Sequence, residues 1–565
     1  MGNLRISLDW SRQQVTNACR GTSNVQLKTS RLVGSELLLI GLTGLAACGG
    51  AEDDNQSGAD SSSGALPTDY RAPASSYTTP RGTDSNLYAL LPEYVDPYWV
   101  AALSSENSAQ IKASYADAGN IINYAFPTSI PDYLDGTEDE LGWQQASTNV
   151  EEAFEAVFAG VEEVFAVDFV KVTNASAINV ISISQNTQRE TSGYAYFPTA
   201  VTFLGADIFI SNSYTNPQDF GALTNFEYEL VIHELGHALG FKHPFEEDGT
   251  QTTVLSAAED NNNWTVLTYT DFVTAYDGFF RPFDLMALGD MFGVNPNYRT
   301  GDDVYGFSSS AGTFVIDGGG IDTVSASGRS VSAYIDLRSG THSYLDVKAI
   351  HITSANQLTI SAGSLIENAT GGSGNDYLVG NDAANILLGG AGSDWLFGGN
   401  GRDQLWGGSG DDLIDFSEAA SATDILILES SASLNGTDTV YSFAQGAAGD
   451  VVYLLPLVSA DLLAVVAATF IPIANVTGTV LRLAAERLDT ATQLDTALSA
   501  GGAFSGLSLE RETEALALTA DSQATGEDQQ LFHILNNGLD IVVTHLATFA
   551  GNYLDIDSWH GNNFA

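Results

Sequence analysis

Three of the chain's eight histidines lie within eleven residues, His233-Glu234-Leu-Gly-His237-Ala-Leu-Gly240-Phe-Lys-His243. On a helix, His233 and His237 stand one turn apart and share a face, as two imidazoles must to share a metal. Neutral imidazole nitrogen suits Zn²⁺. Three protein ligands leave a fourth position open, the arrangement of a reactive rather than a structural centre. Gly240 accepts the left-handed backbone that ends a helix and turns the chain, a turn that would return His243 to the metal. Glu234, beside the first ligand, is placed to take a proton from an attacking water and pass it to a leaving amine.

A second chemistry repeats downstream. From 371 to 415 the chain has a period of nine, G-G-x-G-x-D-x-U-x, in registers that begin at Gly371, Gly380, Gly389, Gly398 and Gly407. That is the pattern of a calcium-binding parallel β-roll. The expected Ca²⁺ ligands are glycine carbonyls and the sixth-position carboxylate. They are Gly372, Gly374 and Asp376; Gly390, Gly392 and Asp394; Gly399, Gly401 and Asp403; and Gly408, Gly410 and Asp412. The register at Gly380 carries Asn385 in place of Asp, so its site is expected to be weak or absent. The eighth-position Leu or Ile should point inward and stack into a core. Without Ca²⁺ the clustered carboxylates repel, and the segment is expected to be disordered.

Other elements must hold these groups in place. Apolar residues at Val150, Phe154, Val157, Phe158, Val161, Val164 and Phe165 predict an amphipathic helix over 144–165. Alternation in 177–183 and 201–210 predicts strands, with Ser192-Gly-Tyr-Ala-Tyr-Phe-Pro198 between them. In this order the last strand could form the edge along which an extended peptide adds. Residues 284–293 read as a short amphipathic helix, and the stretches 436–443 and 449–454 as further strands. A helical patch is expected around 479–498, then alternating strands through 531–557.

At 565 residues the chain is too long for one core, and two to four domains are expected. Seventy acidic residues oppose twenty basic ones. Such a surface repels nucleic acid and anionic membranes, which excludes nucleic acid as a partner, and it suits calcium. Cys19 and Cys48 are the only cysteines, so nothing downstream can form a disulfide. Leu32–Cys48 is an apolar run too short to span a membrane and reads as an export signal. Its end, Leu45-Ala-Ala-Cys48, is similar to a bacterial lipobox, which would make Cys48 the lipidated residue and a point of membrane anchoring. Residues 49–83, rich in Gly, Ser, Asp, Thr and Pro, read as a disordered linker.

The extended H-E-x-x-H-x-x-G-x-x-H motif is the metzincin signature. Together with Trp264-Thr-Val-Leu-Thr-Tyr269 and the nonapeptides, it resembles the serralysins, secreted metzincin endopeptidases with a C-terminal calcium β-roll. The resemblance runs from about Asp84 to about Phe416. It implies that Tyr269 approaches the zinc and can swing toward the substrate oxyanion. It also implies structural calcium at the carbonyls of Arg299 and Gly301 and at Asp303, Asp317, Gly319, Asp322 and Glu367. Leu267 stands where the family carries the methionine of its Met-turn, and residues 1–83 and the tail after Phe416 exceed the family's usual extent. The last residues, 554–565, resemble a type I secretion signal.

The expected fold class is multidomain: an α/β (α+β) metzincin protease domain, a parallel β-roll and a further β-rich C-terminal region. The expected map is a signal or lipobox-like leader (1–48), the linker (49–83), a zinc metalloprotease domain (84–300), the calcium roll (301–416) and a β-rich C-terminal region (417–565). The expected activity is an extracellular zinc-dependent endopeptidase, monomeric, with one catalytic Zn²⁺, several structural Ca²⁺ ions and protein or peptide substrates. The rival expectation is a non-catalytic, calcium-dependent surface or matrix protein with a relic zinc site. No G-x-S-x-G supports an esterase.

Overall fold

The apolar spacing in 144–165 does form a helix, α3 (Thr148–Val164), whose face of Val150, Phe154, Val157, Phe158, Val161 and Val164 is buried. Its start is later than expected, because Gln144–Gln145 pairs as a two-residue strand instead. The computed structural model describes residues 97–455, except 178, 189–190, 199–205, 215–225, 271–277, 419–421, 430–434 and 444–449. It also describes strands at 5–7, 481–484, 514–520, 529–536 and 541–550. The rest of the leader with Cys48, the linker and residues 554–565 lie outside the described residues.

The first layer is a sheet crossed by α3 and the histidine helix. Its strands are β1 (Arg5–Ser7), β2 (Ile121–Ala125), β3 (Gln144–Gln145), β4 (Asp168–Lys171), β5 (Val180–Asn186), β6 (Gly193–Tyr196) and β7 (Ile208–Ser211). They lie in the order β1-β6-β7-β5-β2-β4, with β3 beside β5. β4, β2, β5 and β7 are parallel, and β6 and β1 are antiparallel to their neighbours. The expected edge is therefore corrected. The last strand, β7, is interior, because β6 folds back and pairs along its free side. On its other side β6 carries β1, in the register Arg5↔Tyr196, Ile6↔Ala195, Ser7↔Tyr194.

Four further helices are α1 (Tyr98–Ala101), α2 (Ser108–Asp117), α4 (Phe226–Ala238) and α5 (Pro282–Phe292); α4 lies against β6 and β7, and α1 and α2 pack on α5. In α4 every residue from Leu230 to Ala238 is buried. α5 is buried on most sides, not on one face as the sequence suggested. One apolar cluster joins the helices and the sheet, and includes Ile316 and Ile352 from beyond α5.

From residue 304 to 455 the described residues form one short strand after another. The five nonapeptides alternate between two sheets, 377–379, 395–397 and 413–415 in one and 386–391 and 404–409 in the other, all parallel to their neighbours. Leu378, Leu387, Leu396, Leu405 and Ile414 are fully buried between them, as their position in the repeat predicted. Strand 438–441 continues one sheet and is followed by 541–550, 529–536, 514–520 and 481–484. The helical expectation for 479–498 is corrected at its start. Leu481–Ala484 is a strand parallel to Glu514–Ala520, where period-two alternation and sheet pairing prevail over helical propensity. Residues 485–498 lie outside the described residues. The architecture is thus multi-sheet, mostly parallel and poor in helix.

Candidate metal centre

Local spacing on α4 brings His233 and His237 together, and the turn at Gly240 (φ +104°) returns His243 to them. His237 Nε2 lies 3.0 Å from His233 Nε2 and 3.1 Å from His243 Nε2. Each ring is fixed from its far side. His233 Nδ1 is 2.7 Å from the Val266 carbonyl, His237 Nδ1 is 2.7 Å from the Phe241 carbonyl, and His243 Nδ1 is 3.0 Å from Glu246 Oε2. A carbonyl only accepts, so Nδ1 of His233 and His237 carries the proton and Nε2 presents a lone pair. Three such nitrogens at these separations repel one another unless a cation sits between them. The donor set therefore fits Zn²⁺. Burial, and next the neighbouring His243, pull His233 down to about 3 and His237 well below its ordinary value, which keeps both rings in the neutral, ligating form.

Glu234 lies on the same turn, fully buried, with no hydrogen-bond partner for either carboxylate oxygen. Burial raises its pKa well above the usual carboxylate range. A Cβ at Gly193 would stand 3.0 Å from Glu234 Oε1, so strand β6 passes directly against this carboxylate. The turn beneath the histidines is held by Asp284 of α5, which accepts from Thr265 Oγ1 (2.6 Å) and Val266 N (2.8 Å). Leu267 is fully buried and packs on the histidine helix; a Cβ at Gly236 would meet Leu267 Cδ2 at 2.9 Å. Tyr269 is half-buried, its ring centroid 4.5 Å from that of His243 and 6.0 Å from that of His233.

Several supporting residues carried no sequence signal. Lys242, between Phe241 and His243, is 1% exposed. Its ammonium donates to the carbonyls of Glu246 (2.6 Å), Ala102 (2.7 Å) and Thr253 (3.1 Å), and burial lowers its pKa to about 8. Glu259, also 1% exposed, accepts from Tyr98 Oη (2.9 Å) and Thr353 Oγ1 (3.1 Å) and lies 2.9 Å from His351 Nδ1. It thus ties α1 and the loop before Tyr269 to the strand-rich region. Only the short-range partner, Glu246 at i+3 from His243, could have been read from spacing.

The expected calcium residues separate into two groups. Asp303, Asp317 and Asp322 converge, and Glu367 Oε2 accepts from Asp322 N at 2.8 Å. The Arg299 side chain pairs with Asp303 at 3.2 Å, and the Gly319 N–H donates to Asp317 at 3.1 Å. The Gly301 carbonyl lies under Gly320. In the repeats, Asp394, Asp403 and Asp412 are buried, and each has an oxygen without a partner. Asp376 differs. Its oxygens accept from Ala333 N (2.6 Å) and Gly372 N (2.5 Å). Asn385 is satisfied by the protein alone, accepting from Asn381 N and donating to the Glu367 carbonyl. The glycines at 390, 392, 399, 401, 408 and 410 all have positive φ and stack on carbonyls one rung back. Gly372 and Gly374 instead meet the carbonyls of Arg329 and Val331.

A family model described as Peptidase M10 serralysin C terminal matches residues 294–454. The chain is 32% identical over 223 residues to serralysin G of Dickeya chrysanthemi, covering 35% of this chain and 45% of that protein. It is 37% identical over 188 residues to a serralysin of Proteus mirabilis, covering 29% and 37%. It is 30% identical over 229 residues to metallopeptidase AprA of Pseudomonas marginalis, covering 35% and 47%. The chain spans less than half the length of these relatives.

Proposed function

We propose that this serralysin-like chain is a zinc-dependent endopeptidase of metzincin type, acting on proteins outside the cytoplasm and stabilised by calcium in its repeats. The observation that carries the reading is the convergence of three Nε2 lone pairs beside a buried, unpartnered Glu234. Zinc held by His233, His237 and His243 supplies Lewis acidity toward a carbonyl and a water. Glu234 takes the water's proton and returns it to the departing amine. Tyr269, whose ring packs on His243, would donate a hydrogen bond from its hydroxyl to the oxygen that becomes negative. An extended substrate would lie along β6 in the place that β1 occupies in this structure, its scissile bond brought toward Glu234. The boundaries 84–300 for the protease unit and 301–416 for the roll belong to the same proposal.

The relic reading retains the histidines but not turnover, so activity decides between them. The test is hydrolysis of casein by the purified, calcium-refolded chain with and without a zinc-selective chelator. Loss of activity on chelation and its return with zinc are expected. A protein that binds zinc and calcium yet cleaves nothing would establish the relic.

A further inference from the structure

The turn that carries Tyr269 is held by the loop before it. Thr268 Oγ1 donates to Asp260 Oδ1 at 2.6 Å, and Asn262 N donates to the Thr270 carbonyl at 3.0 Å. Both residues that flank Tyr269 are thus tied to 260–262, so the place of its ring on His243 follows the place of that loop. The loop is in turn joined to Glu259, whose carbonyl accepts from Asn261 N at 2.9 Å.

Glu259 is where this loop meets the rest of the molecule. Its carboxylate is buried, and its donors come from two distant parts of the chain. Tyr98 Oη of α1 lies 2.9 Å from Oε1 and 3.0 Å from Oε2. Thr353 Oγ1 donates to Oε1 at 3.1 Å, and His351 Nδ1 lies 2.9 Å from Oε2. A carboxylate only accepts, so His351 carries its proton on Nδ1. Tyr98 Oη also accepts from Ile352 N at 3.2 Å, which braces the anchors against one another. None of these partners belongs to the metal centre. A buried carboxylate that takes three side-chain donors is confined to one geometry, because moving it leaves buried polar groups unpaired. The groups behind the three histidines, Val266, Phe241 and Glu246, all lie within 84–300. The anchors of Glu259 at His351 and Thr353 do not; they lie in the region that the family model matches.

We propose that Glu259 is a positioning residue for the hydrolysis: it fixes the loop 260–262 and, through it, the Tyr269 hydroxyl at the oxygen that becomes negative. The inference rests on the proposed function, in which Tyr269 stabilises that oxygen. It assigns the two arms of the centre different supports. The histidines are aligned from inside the protease unit, and the tyrosine is aligned from the strand-rich region through one buried carboxylate.

The test is a double-mutant cycle on the full-length, zinc- and calcium-loaded protein, with kcat and KM measured on an extended peptide. Tyr269→Phe should lower kcat by roughly 10²–10³-fold, the range for one oxyanion donor. Glu259→Gln places an amide N–H₂ opposite a donor whichever way it turns. It should lower kcat by up to about 10²-fold, the range for a displacement of about 1 Å at the reacting centre, with KM and zinc content unchanged. In the Tyr269→Phe background the same substitution should cost nothing more, because the hydroxyl it positions is gone. Losses that multiply in the double variant, or wild-type kcat in Glu259→Gln, overturn the proposal and leave the zinc mechanism standing. Should Glu259→Gln not fold, Thr353→Val removes one donor from the far side and is read in the same cycle. Its smaller fall in kcat should also vanish with Tyr269→Phe; wild-type kcat or a multiplying loss overturns the proposal there too. A wild type without turnover, or full kcat in Tyr269→Phe, overturns the proposed role of Tyr269 and this inference with it.

Discussion

Each histidine of the candidate centre is held from behind by a carbonyl or a carboxylate, and the loop around His243 is tied to residues far along the chain. Lys242 is the clearest case, because its ammonium gathers carbonyls from Ala102, 140 residues away, and from the loop that follows His243. Replacing it by Met would leave these buried carbonyls without a donor, at a cost on the order of 1–3 kcal/mol for each that water cannot reach. Lys242→Met is therefore expected to lower the thermal midpoint and to release zinc to a chelator faster than wild type. Equal release rates would mean that Lys242 does not position His243. The histidines and Glu234 were legible in the sequence because helical spacing and one glycine turn are local facts. Lys242, Asp284 and Glu259 were not, since the partners that give them meaning come from other elements: Glu259 meets His351, 92 residues on.

At the scale of elements, the roll is a stack of carboxylates whose metal-free state resists ionisation. Burial raises Asp394 to about 8 and Asp403 to about 7, with like charges adding to the effect. A carboxyl whose pKa is higher folded than unfolded contributes stability that is full below its unfolded value, near 4, and is lost as pH rises through the folded value. Metal-free protein should therefore show more roll structure by far-UV circular dichroism at pH 5 than at pH 8. Calcium competes with those protons, so its midpoint should rise as pH falls; a midpoint independent of pH would contradict this account. The nonapeptides were readable because pattern and period coincide. Asp424, Asp438 and Asp450 continue the stack, accepting the N–H groups of Asp403, Asp412 and Asp424. They escaped because insertions broke the period, although Thr437-Asp438-Thr-Val440 keeps the same order of carboxylate and buried aliphatic. The sheet edge was misjudged for a related reason, since strand order in sequence does not reveal which strand folds back outward. With β1 lying on β6, the backbone edge beside Glu234 is already paired. Deleting residues 1–83 is expected to lower KM for an extended peptide with kcat little changed; an unaltered KM would show that β1 does not occupy the substrate's place.

For the whole molecule, a net charge of −50 and repeats that bury carboxylates both favour a calcium-rich medium. We propose export by one of two routes, and Cys48 distinguishes them. A lipidated cysteine would hold the protein on the membrane through several acyl chains, since one chain binds only marginally. Wild type in the membrane fraction and Cys48→Ser in the medium would support the anchor; both in the medium would contradict it and favour type I export. Either location leaves the reaction unchanged, and the reaction rests on Glu234 being a base and not a ligand. The most direct measurement is zinc content and casein turnover side by side for wild type, Glu234→Ala and His237→Ala. Glu234→Ala should keep about one zinc per chain while losing roughly 10²–10⁴-fold in turnover, the range of a general acid–base term, and His237→Ala should lose the metal itself. Wild-type turnover in Glu234→Ala would contradict the account at its centre.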